Sequence, residues 1–198
     1  PRRRSAPYPL IGFIWLVAAV VLGASGRLSG LRPPAPQLVL LGLTVVLLLA
    51  GALFPGFRSW LAGLNLRQIV ALHLTRFVGI YLLILYARGE LPYAFAVPGG
   101  WGDIAIATGA LALVLLVPDL AAHRTWVLTW NLLGFSDIVY VVATAARLVF
   151  ANPDSMSALL RLPLSLLPTF LVPLIIASHV FLFWRLRREP VQGGGRAN

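Results

Sequence analysis

An all-α membrane bundle of about six spanning helices is the fold this sequence predicts, and three observations carry it. The 198-residue chain is 59% hydrophobic and only 11% charged, where soluble domains carry roughly a quarter charged residues. Its apolar residues gather into six runs, at residues 9–23, 37–54, 68–86, 101–117, 126–150 and 162–184, most of them near the ~20 residues that cross a ~30 Å hydrocarbon core. Arginines concentrate at the ends of these runs, as headgroup contacts do. Together the runs read as one transmembrane domain over residues 1–198.

The first run is short and follows Arg2, Arg3 and Arg4, with small residues at Gly23, Ala24, Ser25 and Gly26. It reads either as a first span or as a cleaved signal segment. The second run has no charge, and residues 23–36 before it form a turn-rich loop. The third starts just after Arg67 and carries His73 and Arg76 within it. Residues 89–102 are too apolar for a solvated loop and too interrupted by Pro92, Pro98 and glycines for a helix. This segment is expected to anchor at the outer interface through Tyr93, Phe95 and Trp101, to lid a pocket, or to re-enter the membrane. The fourth run opens on Gly102-Asp103, the fifth holds Trp130, Asn131, Gly134 and Asp137, and the sixth has Pro163, Pro168 and Pro173 in its outer half. Repeated loss of helical hydrogen bonds should kink that last helix.

Counting arginines on alternate sides orients the bundle. Arg2, Arg3, Arg4, Arg58, Arg67, Arg124, Arg185, Arg187, Arg188 and Arg196 fall on the side of the termini, and Arg27, Arg32, Arg88, Arg147 and Arg161 on the other. Both termini are therefore expected to be cytoplasmic, with anionic headgroups as partners.

Composition removes several chemistries. All 16 basic residues are arginine, so a lysine Schiff base is impossible within this chain, and with no cysteine neither disulfides nor iron–sulfur ligation can form. The net charge of +10 belongs to membrane topology, because no nucleic-acid motif accompanies it. Phosphate loops, zinc-protease helices and nucleophile elbows are missing from the sequence, which argues against an enzyme.

What remains is a set of ionisable residues inside apolar runs. A charge at mid-bilayer costs at least ~2.5–3.5 kcal/mol, so such residues pair, line a cavity or bind something. Counted from the arginine-rich ends at ~1.5 Å per residue, His73 and His179 lie ~9 Å deep, Arg76 ~13 Å, Asp137 ~16–21 Å and Asp103 ~22 Å. One reading joins Arg76, Asp103, Asp137, Asn131 and His179 as a polar interior for protons, ions or a small solute, with the kinked last helix as the moving part. Carbonyls freed near Ser165 and Thr169 would then be available to a cation. Plainer readings make Asp103 a helix N-cap and Arg76 with Asp137 a buried ion pair. Asn131 lies about 120° around its helix from Asp137, whereas Trp130, Gly134 and Asp137 share one face. The matched depth of His73 and His179 raises a further reading, axial ligation of a b-type haem with Arg76 against a propionate. Ala105 and Gly109 offer a small-residue packing face.

Several short motifs carry a resemblance. Arg76 to Gly79, Leu91-Pro92, Phe95 through Gly100, Gly102-Asp103, Trp130-Asn131, Gly134, Asp137, Pro168-Thr169, Val172-Pro173 and His179 together resemble a group of small, uncharacterised bacterial membrane proteins. The resemblance covers residues 68 onward and implies a bacterial source with no assigned activity, so it brings no catalytic residue. Three functions stand at this stage: transport through a polar bundle interior, a non-catalytic accessory or scaffold subunit of a membrane complex, and a haem-bearing redox protein.

Overall fold

The computed structural model describes residues 7–188, and all of its regular structure is helical. Arg2, Arg3, Arg4 and Arg196, which enter the orientation count, lie outside the described residues. The elements are α1 (Tyr8–Ala24), α2 (Ala35–Leu53), α3 (Pro55–Ala62), α4 (Leu66–Leu72), α5 (Val78–Ala87), α6 (Tyr93–Leu116), α7 (Arg124–Ala151) and α8 (Val172–Arg188). Three-ten turns at Arg27–Gly30, His73–Phe77 and Pro153–Leu160 and a π turn at Leu167–Leu171 complete the chain.

Five stretches are long and apolar enough to cross a membrane: Ala35–Leu53, Leu66–Ala87, Tyr93–Leu116, Arg124–Ala151 and Leu167–Arg188. The sixth apolar helix, α1, has 17 residues, or about 26 Å at the α-helical rise. Large side chains such as Leu10, Phe13, Val46, Leu116, Leu133 and Phe150 point outward. In water this surface would be prohibitive, and in lipid it is the expected exterior.

Local chemistry sets the element ends. Asn65 and Gln68 form a capping box at the start of α4, with Arg67 N donating to Asn65 Oδ1 at 2.9 Å and Asn65 N to Gln68 Oε1 at 3.2 Å. Gly89, at φ +74°, ends α5: its N–H donates to Tyr86 O at 2.9 Å and that of Glu90 to Leu85 O at 2.9 Å. This double closure needs a left-handed residue, which glycine adopts without a Cβ penalty.

The segment expected to be non-helical is corrected here. Residues 93–102 are the first ten residues of α6, which runs 24 residues in all. Pro98 is only the sixth residue of the helix, so its ring costs a single bond, to the carbonyl of Ala94. The glycines are used for contact. A Cβ on Gly79 would strike the carbonyl of Gly100 and lie 2.8 Å from Asp103 Cβ, and one on Gly100 would lie 2.9 Å from Gly79 O. The backbones of α5 and α6 therefore meet directly, the membrane use of small residues. The Ala105 and Gly109 face works differently from expectation. Ala105 faces outward, Gly109 packs on Trp130, and Ala107 and Ala110 are the fully buried small residues.

The proline-rich last span is broken as expected, with a turn, a π turn and then α8. Its freed carbonyls, however, are occupied. Pro173 has no N–H for the carbonyl of Thr169, and the indole of Trp15 in α1 donates to that oxygen at 3.0 Å. The carbonyl of Ser165 accepts from Thr169 Oγ1 at 2.6 Å. Protein groups thus satisfy the backbone at membrane depth, and the carbonyls once free for a cation are taken.

Several helix ends are tied together on the arginine-rich side of the bundle. Arg67 donates to the carbonyls of Val114, Val117 (2.7 Å) and Pro118 (2.9 Å) at the end of α6, and Arg185 donates to Leu64 O at 2.6 Å. Cations on the last carbonyls of a helix are where its dipole favours them. The short helix α3 lies at this end, its Phe57 and Trp60 rings against Tyr8 at 5.0 and 5.2 Å, an aromatic girdle typical of a membrane interface.

Candidate functional site

The centre of the bundle holds one arginine facing two acids. Arg76 sits in the three-ten turn between α4 and α5 with its side chain 1% exposed. Its Nε donates to Asp103 Oδ1 at 2.6 Å, its Nη1 to the carbonyl of Gly134 at 3.0 Å, and its Nη2 to Asp137 Oδ2. The guanidinium fork matches this arrangement of carboxylates and carbonyl, as an ammonium could not. The Asp103 side chain is 8% exposed and that of Asp137 18%, so the cluster is buried at Arg76 and Asp103 and partly exposed at Asp137.

Asp103 is therefore not a helix cap. It is the eleventh residue of α6 and belongs to the arginine. Depth counted from sequence set Arg76 and Asp103 apart because it assumed one continuous α-helix. The three-ten turn rises ~2.0 Å per residue instead of ~1.5 Å, which lifts Arg76 to ~16 Å from Arg67, and the long side chain closes the rest. The expected Arg76–Asp137 pairing is present. Glycines make it possible: a Cβ on Gly102 would occupy the place of the Asp137 carboxylate.

His73, His179 and Asn131 form a second polar group, fully buried, beside the first. Asn131 Oδ1 accepts from His179 Nδ1 at 2.8 Å and its Nδ2 donates to the His179 carbonyl at 3.1 Å. Ser178 donates its one proton to Ile175 O at 2.8 Å, so His73 Nε2, 3.1 Å away, donates to the serine oxygen. This leaves His73 Nδ1 and His179 Nε2 as bare nitrogens with no hydrogen-bond partner among the described residues. Trp130 stands edge-on to His73 at 4.9 Å and donates its indole N–H to Ile106 O at 3.0 Å. Gly134 admits His179, since a Cβ there would lie 2.7 Å from His179 Cε1. As the helical angle implied, Asn131 does not reach the Arg76 cluster; it serves His179.

The haem reading fails on this geometry. The imidazole centroids of His73 and His179 lie 4.3 Å apart, whereas axial ligands stand on opposite faces of a macrocycle with the whole ring system between them. Arg76, the residue assigned to a propionate, already has three partners.

Sequence reading missed Ser178, the edge-on Trp130 and the Gly134 carbonyl. A serine immediately beside a histidine within an apolar helix was the available signal for the first. The other two depend on which helices face each other.

An all-helical membrane bundle with an ion-paired core is the class that fold and site define. The chain belongs to the family described as Domain of unknown function (DUF8737), which matches residues 33–187. That stretch contains every member of both polar clusters and leaves α1 outside. No curated protein and no solved structure matches the chain.

Proposed function

We propose that this protein is a non-catalytic membrane component, an accessory or scaffold subunit whose ion-paired core fixes how its helices dock. One observation carries this reading: Arg76 is sealed against Asp103, Asp137 and Gly134 O, binding the α4–α5 turn to α6 and α7 at once. Buried charges of this kind add little net stability but penalise every docking that leaves one unpaired. The outward apolar faces give such a subunit ample surface for neighbours in the membrane. The arginine count supports cytoplasmic termini, and Arg67 and Arg185 at one shared end fit that count; the bacterial inner membrane is what the resemblance implies. Extraction into a gentle detergent followed by native mass measurement tests the subunit assignment. A particle heavier than one chain, containing a fixed set of other membrane proteins, is expected; a lone stable 21.4 kDa chain would overturn it.

A second reading, proton passage, is favoured by a different observation. Two carboxyl groups share one guanidinium, and two bare imidazole nitrogens lie close by. Groups that can take up a proton thus continue beyond the ion-paired cluster, with the Pro-interrupted last span as the element that would open them. This reading requires proton flux that Asp137→Asn abolishes.

A further inference from the structure

A cavity of about 910 Å³ lies between α1, α2 and α3 on one side and α4, the π turn and α8 on the other, and touches the histidine group only at Ser178. Its walls are mainly apolar, with Trp15, Leu47, Leu72, Phe170 and Leu174 among them beside Gln68 and Ser178, and Arg58 is the one charged residue lining it among the described residues. Along α8 it extends from Leu174 to Trp184, ten residues or about 15 Å. That is half of a ~30 Å hydrocarbon core, the depth of one leaflet. The cavity sits at the arginine-rich end, where Tyr8, Phe57 and Trp60 form the aromatic girdle. Arg58 is held at the corner between α2 and α3, its Nη1 donating to Ala52 O at 3.3 Å.

We propose that this cavity is a binding site for one anionic phospholipid, its acyl chains between α1–α2 and α8 and its phosphate at Arg58. Length, lining and charge each select this occupant. A leaflet-deep, mainly apolar slot with a cation at its headgroup end suits an amphiphile of that charge. The volume is at the upper end of small-molecule pockets, room for lipid chains.

Gly12 provides a test that spares the polar core. It lines the cavity, and a Cβ there would meet nothing within 4 Å, so Gly12→Phe adds a ring at the wall of the slot from an unobstructed Cβ. The full chain is reconstituted in mixed micelles containing equal phosphatidylglycerol and phosphatidylcholine, stripped with excess detergent, and examined by native mass spectrometry. One retained phosphatidylglycerol per chain is expected. Gly12→Phe should lower retention about tenfold, and Arg58→Gln should reduce the preference over phosphatidylcholine about fivefold while leaving a lipid bound. Loss of all lipid from the parent chain, retention unchanged by Gly12→Phe, or equal uptake of both lipids by the parent would overturn the proposal. Arg58→Gln changes a residue at the rim, so it decides the headgroup assignment even where Gly12→Phe yields no folded protein.

Discussion

Arg76 is the residue on which the molecule turns. Its fork engages two carboxyl groups and a carbonyl from two helices that are far away in sequence. Removing one partner of a buried ion pair leaves the others desolvated and unpaired, at a cost of about 3–5 kcal/mol. Arg76→Met should therefore destabilise the bundle by that order, read as a drop in the detergent unfolding midpoint. Neutralising all three positions together, with Arg76→Met, Asp103→Asn and Asp137→Asn, should cost less than Arg76→Met alone. A triple variant as damaged as the sum of the three single ones would contradict the cluster as a unit. The residues of this cluster were legible in the sequence because charge in an apolar run is conspicuous. The role of Asp103 was not, because Gly102-Asp103 before an apolar run has the local pattern of a cap, and only tertiary structure places an arginine opposite it.

The pairing of α5 with α6 depends on glycine at the level of whole elements. Pro98, Gly99, Gly100 and Gly102 disfavour a helix by intrinsic propensity, yet the structure makes them its first half. Lipid reverses the usual preference, since an irregular backbone would leave its amides unsatisfied, and small residues permit the contact with Gly79. A leucine at Gly79 would have to displace the Gly100 carbonyl and Asp103, an overpacking that costs at least about 1–3 kcal/mol. A Cβ at Gly42 in α2 meets nothing within 4 Å. Thermal unfolding should show a lowered midpoint for Gly79→Leu and an unchanged one for Gly42→Leu; equal midpoints would refute the close α5–α6 contact. The last span teaches the complementary lesson. Three prolines correctly announced a broken helix, but the donor that quiets the Thr169 carbonyl is Trp15, 154 residues away, and sequence spacing carries no trace of such a pairing.

At the scale of the whole molecule, hydrophobic runs and arginine ends made the bundle readable, since both follow directly from the solvent. The chain has no cysteine of its own, so single introduced cysteines map its sides cleanly. Ser59→Cys should react with a membrane-impermeant maleimide only after the cytoplasmic face is opened, and Glu90→Cys should react in intact cells; the reverse pattern would invert the orientation. Helix facing was not readable, and it decides whether the ionisable residues form a pathway or a seal. The structure pairs Arg76 with Asp103 and Asp137 and leaves the histidines in a group of their own, so the ionisable residues hold helices together instead of forming one path. Proton flux into proteoliposomes containing the purified protein, driven by a potassium diffusion potential and followed with a lumenal pH dye, tests it most directly. The account predicts flux equal to that of protein-free vesicles, both for the parent chain and for Asp137→Asn. Flux above that background that disappears in Asp137→Asn would contradict it and establish proton passage instead.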